Sequence, residues 1–304
     1  MSNPLRRAGQ PRTHGADGTR ARQAAAPSDG SVVRISDMDV EFVAHGTVDE
    51  VHTAVRGFSL DIRSGELIVI VGRSGCGKTT ILNVLAGLAR SSAGEVLVHG
   101  LAPDRALEHM AYMFARDALL PWRTARGNIE FALELRRPGM TRSQRRARAS
   151  DYLDALGIGS AAKLYPWQLS QGMRQRVALA RTWAIDPDLL LMDEPFAALD
   201  AQTRAETQEL FLDVWSREGD TARKTVIFVT HDLTEAVLLA DRIVVMNAGA
   251  KVDEIAVDLP RPRDPEQVLE DQRFRDIHRR LSRVLQEGGP ALGDRARPGR
   301  VPTV

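Results

Sequence analysis

"LIVIVGRSGCGKTT", residues 67–80, is a branched apolar run that breaks into glycines and then into helix-forming residues. Its first part, "LIVIV" (67–71), is short and unalternating, the pattern of a strand buried on both faces of a parallel sheet. The remainder fits G-x-x-x-x-G-K-[ST] between a strand and a helix, the context that mechanism demands of a phosphate loop. Gly72, Gly75 and Gly77 let the backbone wrap an anion closely. The amides of the turn and of the helix N-terminus then point at phosphate. Lys78 is placed to contact β- and γ-phosphate oxygens, and Thr79 to put its hydroxyl on Mg²⁺. Ser74, Cys76 and Thr80 complete the loop. Cys76 reads as a small residue that packs. The alternative is a thiol made alkylation-sensitive by the helix N-terminus.

Working outward, "DLLLM" (188–192), "TVIFV" (225–229) and "RIVVM" (242–246) repeat the buried-strand pattern. Helical stretches separate them, which predicts βα repetition and a parallel sheet. The chain has 304 residues, enough for one large α/β domain with extensions. Its 41 basic and 40 acidic residues give a net charge of +1, so nothing pushes it towards nucleic acid or an anionic membrane. Cys76 is the single cysteine, which excludes an intramolecular disulfide. No apolar run approaches the roughly 18 residues that span a bilayer. A membrane role therefore has to come through a partner.

Residues 1–30 are rich in Arg, Ala, Gly and Pro and read as a disordered, solvated arm. "SVVRISDMDVEFV" (31–43) and "HTAVRGFSLDI" (52–62) alternate and predict an antiparallel flank. "TRSQRRARASDYLDALGI" (141–158) has the spacing of an amphipathic helix. Residues 256–304 read as a helical appendage, centred on 274–287, and a flexible tail.

In "DLLLMDEPF" (188–196) an apolar strand ends in paired acids. Asp193 is placed to hold Mg²⁺ through water, and Glu194 to polarise an attacking water as general base. "QLSQGMRQRVALARTWAIDPD" (168–188) opens a helix on a second anion-binding element. Ser170 caps it, and its hydroxyl and the Gly172 amide reach for a γ-phosphate.

The ordered set of phosphate loop, Leu-Ser-x-Gly-x-x-Gln-Arg, acidic strand, "ALD" (198–200) and "VTHD" (229–232) resembles the ATP-binding subunit of an ABC transporter, over roughly 32–255. The resemblance implies a P-loop NTPase core of α/β class, with an antiparallel β flank and a helical signature subdomain at about 115–182. It implies an ATP-binding domain over 31–255, with ATP and Mg²⁺ as cofactors and ATP hydrolysis as the activity. Two subunits would pair head to tail, the signature of one completing the ATP site of the other. Asp200 would lie at that interface. His231 would contact the γ-phosphate and help orient water beside the catalytic Glu194 and Lys78. Phe42 resembles the aromatic that stacks on adenine; a plain strand-core residue is the alternative.

"DALLPWRT" (117–124) with "NIEFALELR" (128–136) resembles the importer subgroup for nitrate, sulfonates and taurine. There the 117–124 loop would meet an integral membrane permease, with a periplasmic or lipid-anchored substrate-binding protein acting indirectly. The subunit would then be peripheral, on the cytoplasmic face. Leu119, Leu120 and Trp122 form an apolar patch that a free monomer should not expose. The alternative is that Trp122 folds back onto the helical subdomain.

Two departures stand out. The family's Gln after Phe, which contacts Mg²⁺ and the attacking water, is Ala115. In an extended segment Asp117 would share its face, but it would bring negative charge to the phosphates. The usual Leu-Ser-Gly-Gly carries Gln171 at its third position. An active but slowed ATPase is the expectation, and a non-hydrolysing regulatory subunit the alternative.

Overall fold

The computed structural model describes residues 30–43, 51–216 and 223–287. All of the expected N-terminal arm except Gly30, and the tail from 288, lie outside them. β1 (Ser31–Val43) and β2 (Val51–Arg63) pair antiparallel, as their alternation predicts. β3 (Leu67–Gly72) then enters the core and α1 (Lys78–Leu85) leaves it. β4 (Ala93–Val98) returns to β1, giving a three-stranded sheet of order β2-β1-β4.

After β5 (Met110–Met113) the chain builds a helical layer from α2 (Ala125–Arg136), α3 (Arg142–Ala155) and α4 (Gln171–Ala184). It then alternates through β6 (Leu189–Asp193), α5 (Ala201–Ser216), β7 (Thr225–Thr230), α6 (Leu233–Leu239) and β8 (Arg242–Asn247). β9 (Ala250–Ala256), α7 (Pro265–Glu270) and α8 (Gln272–Glu287) finish it. The main sheet has the order β5-β6-β7-β3-β8-β9, parallel except for β9.

The apolar runs work because both faces of this sheet are covered. Leu67, Val69 and Val71 of β3 join a core with the helical layer, while Ile68 and Ile70 join a second core with α1 and the antiparallel sheet. This is the period of two expected of a strand. α1 ends earlier than its apolar run, because the chain turns at Gly87 with φ of 69°. A Cβ there would press to 3.2 Å from the Asp104 backbone.

The segment around 256–287 is docked rather than loose. Phe274 and Leu281 of α8 are buried against α6 and β8. The buried Arg263 donates to the carbonyls of Val237, Leu238 and Ala240 at the end of α6. Those carbonyls have no partner within the helix, so a guanidinium fork suits them. Burial, and then the nearby Arg261, push the Arg263 pKa down to about 10.

Candidate functional site

The parallel strands β3, β6 and β7 all end on one edge, and the residues that follow them converge there. Gly72 closes β3 where no side chain fits, since a Cβ would come within 2.5 Å of the Met246 carbonyl oxygen. Gly75 and Gly77 take φ of 80° and 99°, the left-handed region that glycine adopts freely. Lys78, 4% exposed, curls back over the loop. Its ammonium donates to the carbonyls of Gly72 (2.8 Å) and Arg73 (3.2 Å) and lies 3.9 Å from Glu194 Oε1.

Ser74 and Thr79 are exposed and Thr80 is half-buried. Cys76 is buried, and burial pushes its thiol pKa up despite the neighbouring Lys78 ammonium. The packing reading stands, and the alkylation-sensitive alternative does not.

Thr79 Oγ1 donates to Asp193 Oδ1 at 3.0 Å across 114 residues of sequence. Burial raises the Asp193 carboxyl, against the pull of the Thr79 hydroxyl. Glu194 follows with φ of 44°, its amide donating to Val229 O on β7 at 3.0 Å. That backbone turn aims Glu194 Oε2 at His231 Nδ1, 3.0 Å away. A hydroxyl, two carboxylates, an ammonium and an imidazole thus share one exposed edge. These residues fit Mg²⁺ as a hydroxyl–carboxylate pair beside a phosphate cradle.

Ser170 caps α4 by accepting from the Met173 amide at 3.2 Å. Gly172 packs directly on Thr203 of α5, so a Cβ there would clash. Asp200 caps α5, its Oδ1 accepting from Thr203 N at 3.0 Å, and that bond holds its carboxyl below the usual range. Phe42 is 47% exposed near the end of β1, so the strand-core alternative fails for it.

Around Ala115 the structure corrects two expectations. β5 stops at Met113 and the chain bends at Ala115, so 115–117 is not extended. Asp117 is turned to the helical layer, where its Oδ2 accepts from Arg174 Nε at 3.0 Å. Arg181 donates to the carbonyls of Asp117 (2.9 Å) and Ala118 (2.8 Å). Asn128 holds the far side, accepting from Leu120 N at 2.7 Å and donating to Leu120, Arg123 and Thr124 carbonyls. The expected apolar patch also shrinks. Leu119 packs against the core and Leu120 is half-buried. Trp122 stands 70% exposed, so it does not fold back.

Beside this loop an apolar cleft of about 360 Å³ lies between β5 and α2, lined by Leu88, Leu107, Tyr112, Phe114, Ala132 and Arg136 among others. Tyr112 was not legible as a site residue. Its ring packs on Phe114 at 4.4 Å, while its hydroxyl donates to Asn83 Oδ1 at 3.3 Å. Burial and the nearby negative charge of Asp193 push its pKa up.

Residues 55–197 match the model of the ABC transporter family. A putative ATP-binding protein of Brucella abortus is 48% identical over 217 residues, covering 69% of this chain and 79% of that protein. In Synechococcus elongatus a bicarbonate transport ATP-binding protein is 41% identical, covering 74% of this chain and 81% of its own length. A nitrate import ATP-binding protein of the same organism is 40% identical, covering 74% and 82%. Among solved structures, a dimeric ATP-binding cassette in a post-hydrolysis state with ADP and Pi superposes with a TM-score of 0.66 at 29% identity, over 75% of this chain and all of that one. The cradle, its acidic strand ends and these likenesses agree: the chain belongs to the ABC transporter family, as one of its ATP-hydrolysing cassettes.

Proposed function

We propose that this chain powers an importer for a small anion, with nitrate, bicarbonate and sulfonates as the class to test. The observation that carries the motor reading is the convergence of Lys78, Thr79, Asp193, Glu194 and His231 on one edge of the sheet. Residues 31–255 form the ATP-binding domain, with a helical subdomain from about 115 to 182. Two copies pair head to tail, with Ser170, Gly172 and Asp200 of one facing the cradle of the other. Phe42 stacks on adenine.

In this reading the loop amides from Gly72 to Thr80 and Lys78 hold the phosphates. Thr79 and Asp193 hold Mg²⁺, which when bound neutralises charge on the β- and γ-phosphates. Glu194 takes a proton from the attacking water, and His231 keeps Glu194 and the water aligned. Products are ADP and phosphate.

The loop 117–124 and the apolar cleft beside it dock a separate permease, which places the chain peripherally on the cytoplasmic face. The described residues hold no helix long and apolar enough to cross a membrane, so a membrane role needs such a partner. A substrate-binding protein delivers the anion to the permease. The balanced net charge of +1 gives no footprint for nucleic acid.

The test is MgATP turnover with the permease in lipid for the native chain, Ala115→Gln and Glu194→Gln. Native turnover should be measurable and should fall by about 10²-fold or more in Glu194→Gln, the scale of a lost general base. Turnover only in Ala115→Gln would instead make the native chain a regulatory subunit with impaired hydrolysis.

A further inference from the structure

At the opposite ends of the same strands lies a group of side chains that ATP hydrolysis does not use. His99 sits in the turn after β4, with φ of 51°, its amide donating to Val32 O of β1 at 2.7 Å. His109 ends the short turn that leads into β5, and Asp188 directly precedes β6. The Asp188 amide donates to His109 O at 2.9 Å, which fixes the two segments side by side. The imidazole rings are 4.8 Å apart at 42°, and Asp188 Oδ2 is 2.9 Å from His109 Nδ1. One ligand atom from each of the three residues falls within 4.8 Å of the others.

His99 Nε2 is out of contact with solvent and has no hydrogen-bond partner among the described residues. A buried polar nitrogen left that way is uncommon and destabilising. The His99 residue borders a cavity of about 310 Å³ also lined by Val32, Ser64, Asp186, Asp188, Arg223 and Lys224.

We infer that His99, His109 and Asp188 form a binding site for a divalent transition ion of the Zn²⁺ class. Two imidazoles select such an ion over Mg²⁺ or Ca²⁺, which prefer oxygen. Bonds of about 2.0–2.2 Å would place the ligand atoms roughly 3.3 Å from one another, a closure of at most about 1.5 Å from the 4.8 Å within which they lie. Three protein ligands leave a position open to solvent from the cavity. Burial, and then the adjacent His109, lower the His99 pKa.

The nearby cations are largely answered. Lys224 bonds Asp186 at 2.7 Å, and Arg137 and Arg148 lie 3.9 and 4.0 Å from the same carboxylate. Arg223 lies over the Trp215 ring. Because His99 directly follows a strand of the antiparallel sheet and the other two ligands directly precede strands of the main sheet, the ion would staple the two sheets together. The site stands apart from the nucleotide cradle and does not depend on the transport reading.

The experiment is calorimetric titration of the EDTA-stripped full chain with Zn²⁺, without nucleotide. It is run on native protein and on His99→Gln, His109→Gln, Asp188→Asn and His278→Gln. One ion per chain should bind, with affinity lowered at least about tenfold in the first three variants and unchanged in the last. Native protein should also melt higher with Zn²⁺ than with EDTA, since the ion binds the folded state. Co²⁺ should give a four-coordinate ligand-field spectrum that fades in the two histidine variants. Thermal melts in EDTA show which variants are folded, and any one of the three folded variants decides. Absence of binding, or equal affinity in native chain and folded variants, overturns the site.

Discussion

Tyr112 touches both ends of the problem that Ala115 poses. Its ring lines the cleft beside the 117–124 loop, and its hydroxyl donates to Asn83 of α1, the helix that opens at Lys78. Alanine has no group to reach from the loop towards the cradle, whereas this tyrosine joins the cleft to α1 through Asn83. Tyr112→Phe keeps the ring and removes only the hydroxyl. A neutral hydrogen bond is worth about 0.5–1.5 kcal/mol. Permease-stimulated turnover in Tyr112→Phe should therefore fall by up to about tenfold while ATP binding, followed by a fluorescent nucleotide, persists. Unchanged stimulation would take Tyr112 out of the coupling route. The sequence hid this contact, because Tyr112 and Asn83 lie 29 residues apart, on a strand and on a helix. The histidine–aspartate cluster is hidden for the same reason. Lys78 and Thr79 were legible because a phosphate loop writes its chemistry in consecutive residues.

At the scale of elements, α6 carries a buried acid with a pH signature. Glu235 is 6% exposed, accepts from Gln208 Nε2 at 2.8 Å, and is pushed by burial up to about 7. Between its usual value of 4.5 and 7 the folded chain keeps a proton that the unfolded chain has released. The stability this group contributes is full below the lower value and is lost as pH rises through the upper. Glu235→Gln preserves the shape and the bond to Gln208 without a titrating proton. Denaturant unfolding at pH 8 should show the variant more stable than the native chain, by up to about 3 kcal/mol, with little difference at pH 4. An identical pH profile for both proteins would refute the assignment. The strands themselves were readable because a parallel sheet covered on both faces needs continuous apolar runs. The end of α1 was not, since the turn at Gly87 answers to the Asp104 backbone rather than to local periodicity.

For the whole molecule, the informative surface is the loop at 117–124. Trp122 is 70% exposed on a segment otherwise tied down by Arg174, Arg181 and Asn128. An aromatic held out by a rigid loop forfeits little conformational entropy when a partner covers it. Trp122→Ala should weaken association with the permease in detergent by about 2 kcal/mol, or roughly thirtyfold. Association at native strength would move the docking surface elsewhere. Sequence gave the loop's apolar residues but not their division, with Leu119 turned inward and Trp122 outward, because that division is set by where α4 lies.

The same bolts make the loop and α4 one part. Arg174 stands one turn from Ser170, the cap of that helix, and Arg181 two turns further along. If the permease docks on Trp122, a push there would reach the helix cap through α4. If the cap faces the neighbouring copy, the stroke of the permease is delivered to the other subunit's ATP. Such a coupling path would run through Arg174 and Arg181 and would ask nothing of the side chain at 115.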